Sequence, residues 1–416
     1  MKRLSGFPAI VLATAAAGII GYVIMWLVTQ RAGAAGYAVF AVFWSAVYLV
    51  IGAASGVQQE ITRATRPVSG PVQEHPRVAR NFAIGGFATI VVAIVATSPI
   101  WIGPVFAGSW ALVPPLAVAA GSYVFVAVLS GSLFGISSWG AVAALIALDA
   151  VLRLVLLGVL LIFTTDPVAL AWGVAAPFPL TMLLLWPVVR GRIIGRSDID
   201  VGYRQLTWNV VRTVVAAASV GLLVSGFPVL LRITSSDEPA SSLGVIIFAI
   251  TITRAPVIVS LMALQSFLIV RFRDAGSAFW RRLTSVCLLV LAVGAPVALA
   301  GWLWGPQVFA IVFGDSYRLD GWLIAVFVLS SVLVGLMTVV GSATLASNRH
   351  FAFSVGWLIA AGVTVVAMFL PFPFETRLVT AILVGPVSGL VFLFSALAFA
   401  PRPQDDGRPI LEVDPS

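Results

Sequence analysis

The sequence predicts an all-α polytopic membrane protein with about twelve transmembrane helices in two pseudo-symmetric six-helix bundles around a central cavity. Hydrophobic residues make up 60% of the 416 residues, and the mean hydropathy is +1.08, far above an ordinary soluble domain. A helix needs about 20 apolar residues to cross a bilayer, and such stretches follow one another along almost the whole chain. They are continuously apolar rather than alternating, which argues against a β-barrel.

Polar, charged, Gly or Pro residues separate each predicted span from the next. Several connections are too short to cross the bundle, so the helices they join must be antiparallel neighbours; the shortest are Ile136–Gly140, Thr164–Pro167 and Ala346–His350. In chain order the predicted spans are 8–29, 37–57, 81–102, 111–135, 139–163, 168–189, 209–232, 243–270, 283–304, 320–345, 351–370 and 376–400.

The distribution of Lys and Arg predicts the orientation. Seventeen of the 24 basic residues fall at the N-terminus, in alternate gaps and in the tail, four fall in the opposite gaps and three within spans. Because short cytoplasmic loops carry the excess of basic residues, both termini are expected in the cytoplasm and the protein in the cell membrane. The net charge of +8 then indicates topology and contact with anionic lipids rather than nucleic-acid binding.

The two halves of the chain show a faint internal repeat. A shift of 208 residues places Gly36 on Gly244 and Phe40 on Phe248, and both halves share one pattern of loop lengths. Six spans is an even number, so the repeats are parallel, as in transporters with a cavity between two bundles. The predicted divisions are an N-terminal lobe (1–200), a C-terminal lobe (201–400) and a disordered cytoplasmic tail (401–416).

Several short motifs carry a family resemblance. They are Gly36–Phe40, Gln58–Arg63, Gly131–Gly135, Thr253–Pro256 and Ala263–Gln265. On these residues and on its span count, the chain resembles the actinobacterial polysaccharide-exporting (Wzx-like) flippases of the multidrug/oligosaccharidyl-lipid/polysaccharide superfamily.

That resemblance implies a flippase that moves a polyprenyl-pyrophosphate-linked oligosaccharide or a related precursor across the cytoplasmic membrane by alternating access. It also implies no ATPase activity in the chain. No enzymatic activity and no cofactor are predicted, and glycosyltransferases or polymerases of the membrane are expected partners. Two alternatives stay open. A drug or metabolite antiporter would favour carboxylates in the cavity, and a non-transporting scaffold of cell-envelope assembly would concentrate its function in loops and tail.

Arg254 is the most informative single residue of the sequence. It lies roughly 16 Å from the outer end of the eighth span, at about 1.5 Å per residue, where a charge needs a wet cavity or a partner. A guanidinium presents a planar fork of donors suited to phosphate. Arg254 is therefore predicted to bind the pyrophosphate; the alternative is a structural arginine that caps carbonyls or pairs with an acid.

Asp149 and Arg153 lie four residues apart on one face of the fifth span, a spacing that allows an ion pair. The pair is either structural, or Arg153 contacts substrate and Asp149 couples an ion. Pro256, Gly131 and Gly135 are candidate hinges, although small residues also simply allow close helix packing.

Aromatic residues within the first two spans offer a second kind of contact. Trp26, Trp44 and Tyr48 are candidates to stack on sugar rings, or are ordinary core aromatics. The sequence contains no recognisable catalytic or metal-ligand motif, so no catalytic residue and no metal ligand are predicted.

Overall fold

The computed structural model describes residues 7–67, 77–314 and 319–399, without the side chains at 7, 216, 255–263, 266 and 312. The predicted tail, 401–416, and the basic N-terminal residues Lys2 and Arg3 lie outside this range. The described chain is almost entirely helical, which confirms the predicted all-α membrane fold.

The helices follow one another with short connections, and the described residues include two short strands. The elements are α1 (Phe7–Ala64), β1 (Thr65–Pro67), α2 (Val78–Phe106), α3 (Val113–Gly135), α4 (Trp139–Phe163), α5 (Pro167–Ala175), α6 (Pro177–Ile193), β2 (Ser197–Ile199), α7 (Tyr203–Gly221), a π-helix (Leu222–Gly226), α8 (Phe227–Thr234), α9 (Ala240–Arg273), α10 (Phe279–Phe313), α11 (Gly321–Ala346), α12 (His350–Met368) and α13 (Phe374–Ala398).

These elements form twelve spans within the described part of the chain. Ten stretches are long and apolar enough to cross a membrane. One of the ten, α1, contains two spans, because its helix breaks at Gly33 with φ 65° and ψ −177°. The twelfth is α9, a continuous helix of 34 residues.

The first connection differs from the prediction. The sequence suggested a loop from about 30 to 36, but helix continues on both sides of Gly33. Glycine has no Cβ and adopts a positive φ without steric cost, so one residue is enough to break the helix. The three very short connections, in contrast, are confirmed: α4 begins at Trp139, α5 at Pro167 and α12 at His350.

The second part of α1 packs along α7 through small residues. A Cβ on Gly56 would lie 2.6 Å from the backbone nitrogen of Val214, and one on Gly52 would lie 3.0 Å from the Cα of Gly221. The hydroxyl of Thr213 donates to the Gly56 carbonyl at 3.1 Å. Small residues let helices in a membrane approach this closely. We call this contact, at Gly52, Gly56 and Gly221, the glycine seam; it joins the second span to the seventh.

We call the end of the helices that carries Arg63, Arg190, Arg271 and Arg349 the arginine-rich end. At the opposite end, α1 meets α9: the rings of Tyr37 and Phe248 lie edge to face, with centroids 5.2 Å apart. Both rings are buried. The second and eighth spans are therefore in contact where each of them begins.

At the arginine-rich end, two strands join the end of α1 to the segment between the halves. β1 pairs antiparallel with β2, with Thr65 opposite Ile199. Arg66 forms an ion pair of 2.9 Å with Asp200, and the Asp200 amide donates to the Ala64 carbonyl at 2.9 Å. The segment that links the two halves is thus fixed to the first half.

Candidate substrate cavity

The predicted pair on the fifth span forms. Arg153 Nη2 lies 2.9 Å from Asp149 Oδ2 and 3.0 Å from Oδ1. Its Nη1 donates to the hydroxyl of Tyr48, 2.7 Å away on α1. The Arg153 side chain is almost fully buried, whereas 19% of the Asp149 side chain is exposed. Their charges cancel inside the bundle, although the Arg153 Nε is buried without a partner in the described residues.

Aromatic rings enclose this ion pair. The guanidinium carbon of Arg153 lies 4.6 Å from the ring centroid of Phe178 and 5.8 Å from that of Trp44. The rings of Trp44 and Tyr48 stack one turn apart on α1, with centroids 4.8 Å apart and an interplanar angle of 14°. Cation–π contacts gain strength when desolvated, so the rings stabilise the buried guanidinium.

The ion pair and the rings line a cavity of about 180 Å³. We call it the Arg153 cavity. All its lining residues lie between Ala17 and Phe178, so it is inside the first half rather than between the halves. The polar and aromatic members of its wall are Trp44, Tyr48, Gln58, Tyr123, Ser130, Phe134, Asp149, Arg153 and Phe178.

Arg254 lies elsewhere, buried against the π-helix of the seventh span. Its Nη1 donates to the Leu223 carbonyl at 3.1 Å, and its guanidinium carbon lies 5.3 Å from the ring centroid of Phe227. A π-helix disturbs the regular ladder of backbone hydrogen bonds, and Ser45 of α1 donates to a second carbonyl there, that of Ser225. The contact with Leu223 agrees with the carbonyl-capping alternative.

Arg254 nevertheless differs from the other buried charges. No ion pair connects it to a carboxylate of the described chain, and its buried Nε has no partner there. It is only 6% exposed. A guanidinium in this position keeps a hydrogen-bond donor and a positive charge that the described residues around it leave unmatched.

A second buried carboxylate, Glu60, is not among the candidate site residues that the sequence singles out. The predicted second span ends at residue 57, which leaves Glu60 in the connection that follows it. The helix instead runs on to Ala64, and Glu60 is 5% exposed. Arg63 contacts it at 2.6 Å and Asn209 donates to it at 2.8 Å. The acid–base spacing of Glu60 and Arg63, three residues apart, was the available signal.

The candidate hinge glycines lie in close helix contacts. A Cβ on Gly131 would be 2.8 Å from the Gln58 carbonyl oxygen, and one on Gly135 would be 2.5 Å from the Cβ of Thr65. Both contacts favour close packing of α3, against α1 at Gly131 and against β1 at Gly135, over a hinge. For Pro256, only the helical backbone is described, and its side chain lies outside the described residues.

The three candidate stacking residues separate in the structure. Trp44 and Tyr48 line the Arg153 cavity, whereas Trp26 does not and is 44% exposed. No group of three or more His, Cys, Asp or Glu residues that could hold a metal ion occurs in the described part of the chain.

The chain is similar in sequence to mycobacterial proteins of uncharacterized function. It is 33% identical to the uncharacterized protein Rv3630 of Mycobacterium tuberculosis over 394 residues, which are 93% of this chain and 90% of the relative. It is equally 33% identical to the uncharacterized protein Rv1510 of the same species over 397 residues, 94% of this chain and 90% of that protein. No family model matches the chain.

Solved structures give the fold. An inward-facing multidrug resistance MATE family transporter of the MOP superfamily matches with a TM-score of 0.68 and 13% identity, over 93% of this chain and 98% of that one. The lipid II flippase MurJ, in an inward closed conformation, matches with a TM-score of 0.67 and 13% identity, over 94% and 87% of the two chains. The chain therefore shares the fold of these two transporters.

Proposed function

We propose that this chain, which belongs to the same family as the mycobacterial proteins Rv3630 and Rv1510 and has the MOP fold, is a membrane transporter that flips a lipid-linked saccharide. Its substrate is a polyprenyl-pyrophosphate-linked oligosaccharide or a related polysaccharide precursor. Transport proceeds by alternating access across the cytoplasmic membrane, with both termini in the cytoplasm.

The observation that carries this proposal is the balance of buried charge. Each buried carboxylate of the described spans has an arginine partner: Asp149 has Arg153, and Glu60 has Arg63. Arg254 alone is a buried cation without a carboxylate partner among the described residues. A buried charge calls for a counterion, so this balance favours an anionic substrate group such as pyrophosphate over an organic cation.

The neighbour described as a lipid II flippase supports the same substrate class, since it shares the fold over most of both chains. The similarity to a MATE transporter supports the antiporter as the alternative function. The two functions differ in what they require of Asp149: a cation antiporter needs a carboxylate free to bind its substrate, whereas here Arg153 occupies it at 2.9 Å.

Asp149 is proposed to couple transport to an ion. A proton on this carboxylate would break the charge match with Arg153 and leave a guanidinium that attracts an anion. This role depends on access from the cavity, which the exposed fraction of Asp149 supports.

The test is native mass spectrometry of the protein released from native-lipid discs, comparing the wild type with Arg254→Gln. The control is Arg212→Gln, because Arg212 lies exposed at the start of the seventh span with its guanidinium carbon 5.0 Å from the Trp208 ring centroid. We expect wild type and control to retain a polyprenyl-pyrophosphate species and Arg254→Gln to lose it.

Other results have distinct meanings. Equal retention by Arg254→Gln would keep the flippase and remove Arg254 from the pyrophosphate site. Absence of any such lipid from the wild type, together with cation-driven drug efflux in vesicles, would replace the flippase with the antiporter. Absence of both, with a phenotype confined to changes in the loops, would favour the scaffold.

A further inference from the structure

We propose that the Arg153 cavity binds one uncharged sugar ring of the transported saccharide, against the wall formed by Trp44, Tyr48 and the Asp149–Arg153 ion pair. The inference rests on the proposed function, and it adds where, and by which chemistry, the saccharide is recognised. Three properties of the cavity carry it: its charge, its hydrogen-bonding groups, and its size and shape.

The charge of the cavity excludes a charged ligand. Among the described residues, Asp149 and Arg153 are the only charged members of its wall, and they neutralise each other. A carboxylate, phosphate or ammonium group placed here would be buried without a counterion, and nothing in the wall would offset its desolvation. While Asp149 is ionised, the pyrophosphate and any cationic drug are therefore excluded, and a ligand without net charge is favoured.

The wall also excludes a purely apolar ligand. The buried Nε of Arg153 has no partner, and among the described residues no hydrogen bond reaches the side chains of Gln58 and Tyr123. The Asp149 carboxylate has acceptor capacity beyond its contact with Arg153. An apolar ligand would leave these groups unsatisfied, whereas each sugar hydroxyl both donates and accepts.

Size and shape fit a single ring. The cavity, about 180 Å³, is slightly larger than an engineered cavity of about 150 Å³ that holds one benzene molecule. Trp44 and Tyr48 both line the cavity, and the parts of their rings that face it offer apolar surface to the C–H bonds of a pyranose. A wall that combines an ion pair with flat aromatic surface matches a molecule with hydroxyls at its rim and C–H bonds on its face.

The location has a mechanistic consequence. Every wall residue belongs to the first half, whereas Arg254 lies on α9 in the second. The sugar and the pyrophosphate are then recognised by different halves of the protein. A substrate that contacts both is sensitive to their relative movement.

The test measures binding of methyl glycosides to the purified full-length protein by isothermal calorimetry. The probes are the methyl glycosides of glucose, galactose, mannose, rhamnose and N-acetylglucosamine, with methyl glucuronide as the charged control and cyclohexanol as the apolar control. The variant is Trp44→Leu, which removes the flat surface but keeps an apolar side chain. The matched control is Trp26→Leu, a tryptophan of the same helix outside the cavity.

We expect at least one neutral glycoside to bind more tightly than both control compounds, and Trp44→Leu to weaken it by roughly tenfold or more, of the order of a good aromatic contact. Trp26→Leu should bind as the wild type does. The double variant Asp149→Asn/Arg153→Gln, which keeps the cavity neutral, should also lose affinity because its hydrogen bonds change.

The outcomes separate the two proposals. If the wild type retains a lipid-linked saccharide but no neutral glycoside binds better than cyclohexanol, the function stands and the sugar site is wrong. The same holds if Trp44→Leu binds as Trp26→Leu does, or if the glucuronide binds best. If glycosides bind in a Trp44-dependent way while no lipid-linked species is found, the cavity is a sugar site in a protein that does not flip such lipids.

Discussion

Asn209 of α7 donates a hydrogen bond of 2.8 Å to the buried carboxylate of Glu60 on α1, which Arg63 contacts from the same helix. The bond connects the end of the second span to the beginning of the seventh, 149 residues apart. It lies beside the glycine seam. The contact between these spans therefore combines close backbone packing with a buried carboxylate that both Arg63 and Asn209 contact.

Loss of this hydrogen bond should destabilise the protein. Asn209→Ala leaves Glu60 with Arg63 alone, and a hydrogen bond to a charged group contributes about 1.5–3 kcal/mol. Thermal unfolding in detergent measures the change in free energy of unfolding. Gln205→Ala is the control, because Gln205 is exposed and contacts Asn209 at 3.1 Å; an equal shift in both variants would contradict the prediction.

The seam itself predicts intolerance of a single methyl group. Gly56→Ala would place a Cβ 2.6–2.8 Å from backbone atoms of Thr213 and Val214, so the two helices must separate, at a cost of about 1–3 kcal/mol. Gly158→Ala in α4 has nothing within 4 Å and should instead stabilise the helix by about 1 kcal/mol. Unfolding midpoints that move in the same direction would disprove the close approach.

The buried ion pair predicts strong coupling between its partners. Asp149→Asn leaves the Arg153 charge buried and unpaired, which costs about 3–5 kcal/mol in comparable sites. Combining it with Arg153→Gln removes that charge and should restore much of the loss. A double-mutant cycle on the free energy of unfolding measures the coupling, and purely additive effects would mean that the pair does not form in the membrane.

The orientation can be tested with single cysteines in a Cys287→Ser background. Ser277 and Ser236 are exposed in connections at opposite ends of the bundle. The distribution of arginines predicts that Ser277→Cys faces the cytoplasm and Ser236→Cys the outside. A membrane-impermeant maleimide on intact cells should label only Ser236→Cys; labelling of only Ser277→Cys would invert the topology.

The sequence predicts those features that depend only on residues close to one another in the chain. The twelve spans and the Asp149–Arg153 pair were of this kind, because a membrane selects continuous apolar stretches and an i,i+4 spacing fixes one face. The near-continuous helix at Gly33 was missed because only a backbone angle distinguishes a break from a loop.

Contacts between helices were beyond the reach of the sequence. Tyr48 and Arg153 are 105 residues apart, and nothing in their local patterns sets the register of α1 against α4. The same applies to Arg254: its depth in the span was readable, but its contact with Leu223 depends on a π-helix that hydropathy does not reveal. The candidate residues were therefore found singly, and their grouping required the fold.

The strand pair at the arginine-rich end constrains how the two halves are connected. β2 is hydrogen-bonded to β1, and Asp200 is bonded back to Ala64 and Arg66. α7 begins three residues after Asp200 and packs at once along α1. The segment that joins the two halves is thus held by the first half both at β2 and along α7. If the second-half helices move relative to the first half, the chain must therefore bend at residues after α7.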